Sequence, residues 1–180
     1  GLSAQNVAKK FDFNYCASNY KEILKDKNDA VVITSRHNTH SKAVCDALAS
    51  NKNVYVEKPL ALTVEELEDI HRAYVDNGKS QIMVGFNRRF APSTREIIKH
   101  FDSVQSPLII NIRVNAGFLP ADHWTQDAKE GGGRMIGEGC HFIDLASAIT
   151  NSDVKTIYAV GSSRNDKSAL LNDNLCLSLT

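Results

Sequence analysis

The sequence predicts an α/β chain: part of a doubly wound parallel sheet, followed by an α+β unit on an open, mainly antiparallel sheet. Two observations carry this. Three apolar runs, Asp29-Ala30-Val31-Val32-Ile33-Thr34, Val54-Tyr55-Val56 and Gln81-Ile82-Met83-Val84-Gly85-Phe86, are separated by stretches of helical periodicity. Strands that alternate with helices in this way form a parallel sheet with helical crossovers. Beyond Arg89 the character changes. In Pro107-Leu108-Ile109-Ile110-Asn111-Ile112-Arg113-Val114-Asn115, apolar and polar residues alternate from Ile110 on. Such alternation suits an antiparallel sheet covered on one face. The boundary falls near residues 86–90 and divides the chain into units 1–88 and 89–180.

In order along the chain, Ser3 is placed to cap a helix to about Phe11, with Val7, Ala8 and Phe11 inward. A short strand near residues 15–17 follows, then Asn19 as the cap of a brief helix carrying Ile23 and Leu24. The β-branched run 29–34 reads as a strand buried on both faces. Polar Ser35-Arg36-His37-Asn38-Thr39-His40 leads into a helix to about Ser50 that buries Ala43, Val44, Ala47 and Leu48. The strand 54–56 runs into Glu57-Lys58-Pro59, where Pro59 cannot donate to a ladder and keeps Lys58 extended. Thr63-Val64-Glu65-Glu66 is a capping box. It opens a helix with Val64, Leu67, Ile70 and Tyr74 inward, ending at Gly78. The third strand is followed by Asn87-Arg88-Arg89 and a helix from about Pro92 to Phe101. Further strands are expected at 154–160 and 175–179. Before them, Gly131-Gly132-Gly133 marks backbone that bends tightly or is closely approached. A helix from about Gly139 to Ile149 then sets His141, Asp144, Leu145 and Ala148 on one side.

Composition narrows the function classes. With 180 residues, 42% hydrophobic and 23% charged, the chain can bury a core as one large domain or two small ones. Lys plus Arg and Asp plus Glu both number 21, so no net field argues for nucleic acid or an anionic membrane surface. No apolar run approaches the ~20 residues needed to span a bilayer, and no secretory leader is visible. Cys16, Cys45, Cys140 and Cys176 are scattered without metal-ligand spacing, which reads as reduced structural thiols in a cytoplasmic protein. The opening Gly1-Leu2-Ser3 is no initiator sequence, so the start is expected to have been cut or processed.

The carboxyl ends of the parallel strands carry the chemistry. Thr34 to His40, Glu57 with Lys58, and Asn87 to Arg89 each follow a strand, so the sheet brings them to one crevice, where open α/β sheets put ligands. A solvated ion pair at a strand-to-helix turn accounts for Glu57 and Lys58 on their own. His141 beside Glu138 fits a general base held by a carboxylate, and a structural histidine near a helix start fits as well. Cys140 with His141 fails as a thiol–imidazole pair, because adjacent helical residues point about 100° apart. Six histidines show no H-E-x-x-H or ligand pair, so no metal is expected. Arg88 and Arg89 suit a phosphate or carboxylate clamp, or surface ion pairs. Trp124 suits a sugar-stacking ring or a core anchor. No G-x-G-x-x-G occurs.

Taken together, the motifs resemble the family of glucose-fructose oxidoreductase, inositol dehydrogenase and MocA. Glu57-Lys58-Pro59 matches its E-K-P. Thr34-Ser35 with His40 resembles its fourth-strand loop, and Gly85-Phe86-Asn87-Arg88-Arg89-Phe90 its entry into the substrate domain. Gly131-Gly132-Gly133 followed by Gly139-x-His141-x-x-Asp144 is similar to its G-G-G and D-x-G-x-H-x-x-D segments. The resemblance implies a partial Rossmann-like nucleotide-binding domain at 1–88 and a partial substrate and oligomerisation domain at 89–180. It implies NAD or NADP as cofactor, hydride transfer with a sugar, nucleotide-sugar or polyol hydroxyl, and self-association through the open sheet. Lys58 and His141 would be catalytic. Thr34, Ser35, His40, Glu57, Lys58, Pro59, Asn87 and Arg88 would line the cofactor. Lys58, Arg89, Trp124, Glu138, His141 and Asp144 would meet substrate. The phrase at residues 136–144 is most similar to members acting in nucleotide-sugar or surface-polysaccharide pathways. NAD-assisted hydrolysis or elimination, or a non-catalytic binding fragment, are the alternatives. Two departures stand out. Gly137 sits where many members carry Asp, with Glu138 one place on. The family's first strand and glycine-rich turn would lie before Gly1, so the 180-residue chain alone is expected to bind the cofactor weakly or not at all.

Overall fold

The computed structural model describes residues 2–162 and 174–180. Three strands, β1 (Ala30–Ile33), β2 (Asn53–Val56) and β3 (Ile82–Val84), form a parallel sheet in the order β1-β2-β3. Ala30 pairs with Asn53 and Val54 with Ile82, so the three carboxyl ends finish side by side. The crossovers are α3 (His40–Ala49) and α4 (Val64–Asn77), which pack on each other. Right-handed crossovers that advance in one direction place both helices on the same face. That face holds the core of Ile33, Val44, Ala47, Leu48, Val54, Val56 and Ile70.

The other face of the sheet is not covered by described residues. Val32, Tyr55 and Met83 are in register across it, and Val32 is 68% exposed. The expected burial of the first strand on both faces is therefore corrected to burial on one. Thr63 caps α4 by accepting from Glu66 N at 3.2 Å, while the Glu66 carboxylate reaches one residue further back than a capping box requires, to Leu62 N at 2.7 Å. Gly78 ends the helix at φ 63°. Of the residues expected inward on α4, only Ile70 is buried; Val64, Leu67 and Tyr74 are exposed.

Before the sheet lie α1 (Leu2–Lys10) and α2 (Tyr20–Ile23), the latter capped by Asn19, whose side chain accepts from Lys21 N. Ser3 lies within the first turn of α1 and not at its cap, and Val7 and Phe11 are exposed. No strand forms at residues 15–17.

In the second unit, α5 (Pro92–Phe101) starts with Pro at its first turn and packs against α6 (Cys140–Thr150). β4 (Ile157–Ser162) pairs antiparallel with β5 (Asn174–Leu179), as their patterns predict. Residues 107–115 run without a ladder, and Ile109 is fully exposed. Alternation gives a strand two faces but not a neighbour, and among the described residues no edge lies beside this run to satisfy its backbone. No helix among them is long and apolar enough to cross a membrane.

Candidate active site

Lys58 stands at the tip of β2, immediately before a cis peptide to Pro59. Its side chain is 15% exposed and crosses to the second unit. There Nζ donates to Gly137 O and to Glu138 Oε1, the latter at 2.8 Å. Both partners belong to a single π-helical turn, Met135–Gly139, that feeds directly into α6. Such turns are frequent at functional sites. His141, one turn on, is 5% exposed, and its Nδ1 is sealed with no hydrogen-bond partner among the described residues. An orphaned buried nitrogen of this kind is costly.

The electrostatics follow from this arrangement. Burial holds the His141 imidazole below its usual range, and the charges of Lys58 and Arg88 push it further down, against Glu138 and Glu57. His141 is therefore neutral near pH 7 and able to take a proton. For Glu138, burial acts upward, but Lys58, His141 and Arg88 together outweigh it and leave the carboxyl below its ordinary range. Burial drives the Cys140 thiol up to about 11, so it is no thiolate nucleophile.

A cavity of about 470 Å³ lies at this junction, lined by His37, Lys58, Trp124, Gly137 and Glu138 with Phe118 and Leu119. That volume suits a small molecule. A more open depression of about 560 Å³ beside Arg89, Phe90 and Asn151 contains neither Lys58 nor His37, so the site is assigned to the smaller one.

The three strand ends supply the expected cluster. Thr34 and Ser35 are exposed after β1, Ser35 Oγ sharing a hydrogen bond with Thr39 Oγ1. Asn87 and Arg88 are exposed after β3, with Arg88 over the Phe142 ring at 4.6 Å. Glu57 accepts from the Tyr55 hydroxyl at 3.4 Å. A Cβ on Gly85 would stand 2.9 Å from that hydroxyl and 3.2 Å from the Glu57 carboxyl, so a side chain here would push the tips of Tyr55 and Glu57 aside. These hydroxyls, amide and charges at the carboxyl ends fit the nicotinamide and ribose end of a dinucleotide.

Of the expected site residues, Lys58, Trp124 and Glu138 line the cavity, whereas His141 and the residues at Thr34, Ser35, Glu57, Asn87 and Arg88 lie outside its lining. His40 is fully buried, with Nδ1 2.7 Å from Pro59 O and Nε2 2.9 Å from Ser35 O, so it ties the first two strand ends together. Arg89 forks onto Asp144 through Nε and Nη2, and Asp144 is 9% exposed. Those two side chains meet each other.

His37 received no role from the sequence. It is 8% exposed, its Nδ1 lies 2.8 Å from Gly131 O, and its ring meets Trp124 edge-on at 4.8 Å. Arg36 pairs with Glu130 and lies over the Trp124 ring, and Asn38 N donates to Glu130 O. Residues 36–38 thus dock on 124–131. Two histidines three apart at a strand end were the available signal.

The fold defines a class: a Rossmann-like parallel sheet with a smaller antiparallel sheet, as in NAD-binding oxidoreductases. Residues 2–86 match the oxidoreductase family with an NAD-binding Rossmann fold, and residues 106–180 match the GFO/IDH/MocA C-terminal domain. The chain belongs to the Gfo/Idh/MocA oxidoreductase family. It is 31% identical over 144 residues to inositol 2-dehydrogenase of Salmonella typhimurium, covering 78% of this chain and 41% of that protein. It is 30% identical over 146 residues to myo-inositol 2-dehydrogenase of Thermotoga maritima, covering 78% and 42%. The chain thus spans about two fifths of the length of these relatives. Among solved structures, it is similar to an NAD-binding protein from Listeria innocua, with TM-score 0.77 and 25% identity over 97% of this chain and 52% of that one. It also shares its fold with levoglucosan dehydrogenase in complex with NADH and levoglucosan, with TM-score 0.76 and 21% identity over 99% and 52%.

Proposed function

We propose that the full-length protein is a nicotinamide-dependent dehydrogenase that oxidises a hydroxyl of a polyol, sugar or nucleotide-sugar. The observation that carries this reading is Lys58, which reaches from a strand end of the first unit to the π-helical turn ahead of His141. NAD or NADP would be held by Thr34, Ser35, Glu57, Asn87 and Arg88, with the buried His40 fixing the backbone at Ser35 and Pro59 behind them, and when bound supplies the hydride acceptor. Lys58 would orient the reacting oxygen and offset its developing negative charge. His141 would remove the hydroxyl proton through Nε2, since Nδ1 is sealed. Glu138 would hold Lys58 in place and accept from a neighbouring hydroxyl. Arg89 and Asp144 would act from behind, by fixing α6 against the turn at Asn87–Phe90. The names of the inositol dehydrogenases favour a cyclic polyol. A domain division at 88/89 would leave the cavity between the two units, and the exposed Ile157, Tyr158 and Val160 of β4 would be covered in a homo-oligomer.

The test is a screen of the full-length protein with inositols, hexoses and nucleotide-sugars, following reduced nicotinamide with NAD and NADP. Stoichiometric reduced cofactor with a polyol or sugar is expected. Substrate cleavage without net reduced cofactor would instead identify NAD-assisted hydrolysis or elimination, and refute the dehydrogenase reading.

A further inference from the structure

The side chain of His37 belongs to the cavity, yet neither unit's motif accounts for it. A backbone carbonyl only accepts, so the 2.8 Å contact of Nδ1 with Gly131 O places a proton on Nδ1. Burial, then the neighbouring His40 and Lys58, hold this ring below the ordinary histidine range, against the Gly131 bond and Glu138. In the neutral ring Nε2 is then a lone-pair acceptor. No described residue donates to it, and it is not among the sealed atoms. The ring is fixed on two sides. Trp124 meets it edge-on at 4.8 Å, and a Cβ on Gly137 would stand 3.1 Å from its Cε1.

The polar groups at this cavity then form a pattern. Lys58 Nζ and the Arg134 guanidinium only donate, the Thr125 hydroxyl can do either, and the Glu138 carboxylate and His37 Nε2 only accept. We infer that His37 is a substrate-specificity residue: its Nε2 accepts a hydrogen bond from a second hydroxyl of the bound compound, beside the one that meets Lys58. The substrate class is therefore a compound with neighbouring hydroxyls, one accepting from Lys58 and another donating to His37. Trp124 and Phe118 would border its C–H surface. This inference rests on the dehydrogenase reading. The same chemistry could come from a ribose hydroxyl of the cofactor, and the experiment separates the two sources.

Two variants of the full-length enzyme decide it. In His37→Asn the amide nitrogen can still donate to Gly131 O, but no acceptor remains at the ε position. In His37→Gln the amide oxygen can replace Nε2. Losing one neutral hydrogen bond typically costs about fivefold to tenfold in affinity. The expected result is that His37→Asn raises KM for the polyol by about that factor, with kcat and cofactor Kd near wild type. His37→Gln should restore most of the loss. On a substrate analogue lacking the second hydroxyl, wild type and His37→Asn should perform alike. An unchanged polyol KM in His37→Asn would overturn the inference, as would an equal rise in cofactor Kd, which would assign Nε2 to the ribose. Equal losses in both variants with a lowered Tm would reduce His37 to a docking residue and also overturn it. These failures would leave polyol oxidation by the wild type standing, whereas absence of that turnover would overturn the dehydrogenase reading itself.

Discussion

Lys58→Met in the full-length protein separates catalysis from cofactor binding and from stability. Methionine keeps the length and apolar packing of the stem but removes the ammonium. Two contacts are lost, to Gly137 O and to Glu138 Oε1. Glu138 is 48% exposed, so that ion pair is screened and contributes on the order of 0–1 kcal/mol to stability. Tm should therefore fall little. The rate should fall far more. Removing one preorganised donor from a developing oxyanion typically costs about 10²–10³ in kcat, or about 2.7–4 kcal/mol. Residual activity should carry a second signature. Lys58 is one of the charges that lower His141, so its removal lets that imidazole rise and moves the acid limb of the pH–rate profile to higher pH. The assay is steady-state kinetics across pH, with cofactor Kd from calorimetry. A cofactor Kd that rises by the same factor as kcat/KM falls would make Lys58 a cofactor-binding residue and refute the reasoning.

Glu138→Gln keeps an acceptor for Lys58 but removes a charge that raises His141, so the acid limb of kcat/KM should move to lower pH. A pH–rate profile shifted upward would contradict this. Gly131→Ala should destabilise the full-length protein by about 1–3 kcal/mol, the cost of overpacking. The new Cβ would lie 2.3 Å from Thr125 Cα, which is backbone and cannot swing aside, so thermal melting should show a clear loss. For the proposed homo-oligomer, sedimentation of the full-length protein should give more than one protomer, and replacing Tyr158 and Val160 by Lys should lower the mass. A monomer at high concentration would refute that use of the face.

The first unit was legible because its signals are local and periodic. Unbroken β-branched runs, helical spacing between them and polar residues at every carboxyl end fix the sheet, the crossovers and the crevice without long-range information. What failed there was rotation and cover. On α4 the inward stripe is Glu66, Ile70, Ala73 and Asn77, not Val64, Leu67 and Tyr74. Polar anchors set that rotation: Glu66 Oε2 accepts from Leu62 N, and Asn77 donates to Leu48 O at 2.8 Å. An unmet buried hydrogen bond costs about as much as an exposed aliphatic side chain, so hydrophobicity alone misassigned the face. The run 107–115 failed for a different reason, since a strand exists only with a partner edge.

The candidate site divides along the same line. Lys58, Glu138 and His141 stand out through the family resemblance, since on their residues alone a solvated ion pair and a structural histidine fit as well. Their geometry is set by groups that every residue carries. Lys58 is held by the carbonyl of Gly137, His37 by that of Gly131 and His40 by those of Ser35 and Pro59. A carbonyl has no sequence signature, so the acceptor that fixes the tautomer of His37 became visible only once Gly131 had been folded against it. Glycine was the indirect trace. At Gly131 a Cβ would strike the Thr125 backbone, and at Gly137 it would crowd His37. The absence of side chains at 131 and 137 is what lets the segment pack against the Thr125 backbone and the His37 ring, and it gives a glycine-rich segment with no phosphate-binding fingerprint a packing role at the site.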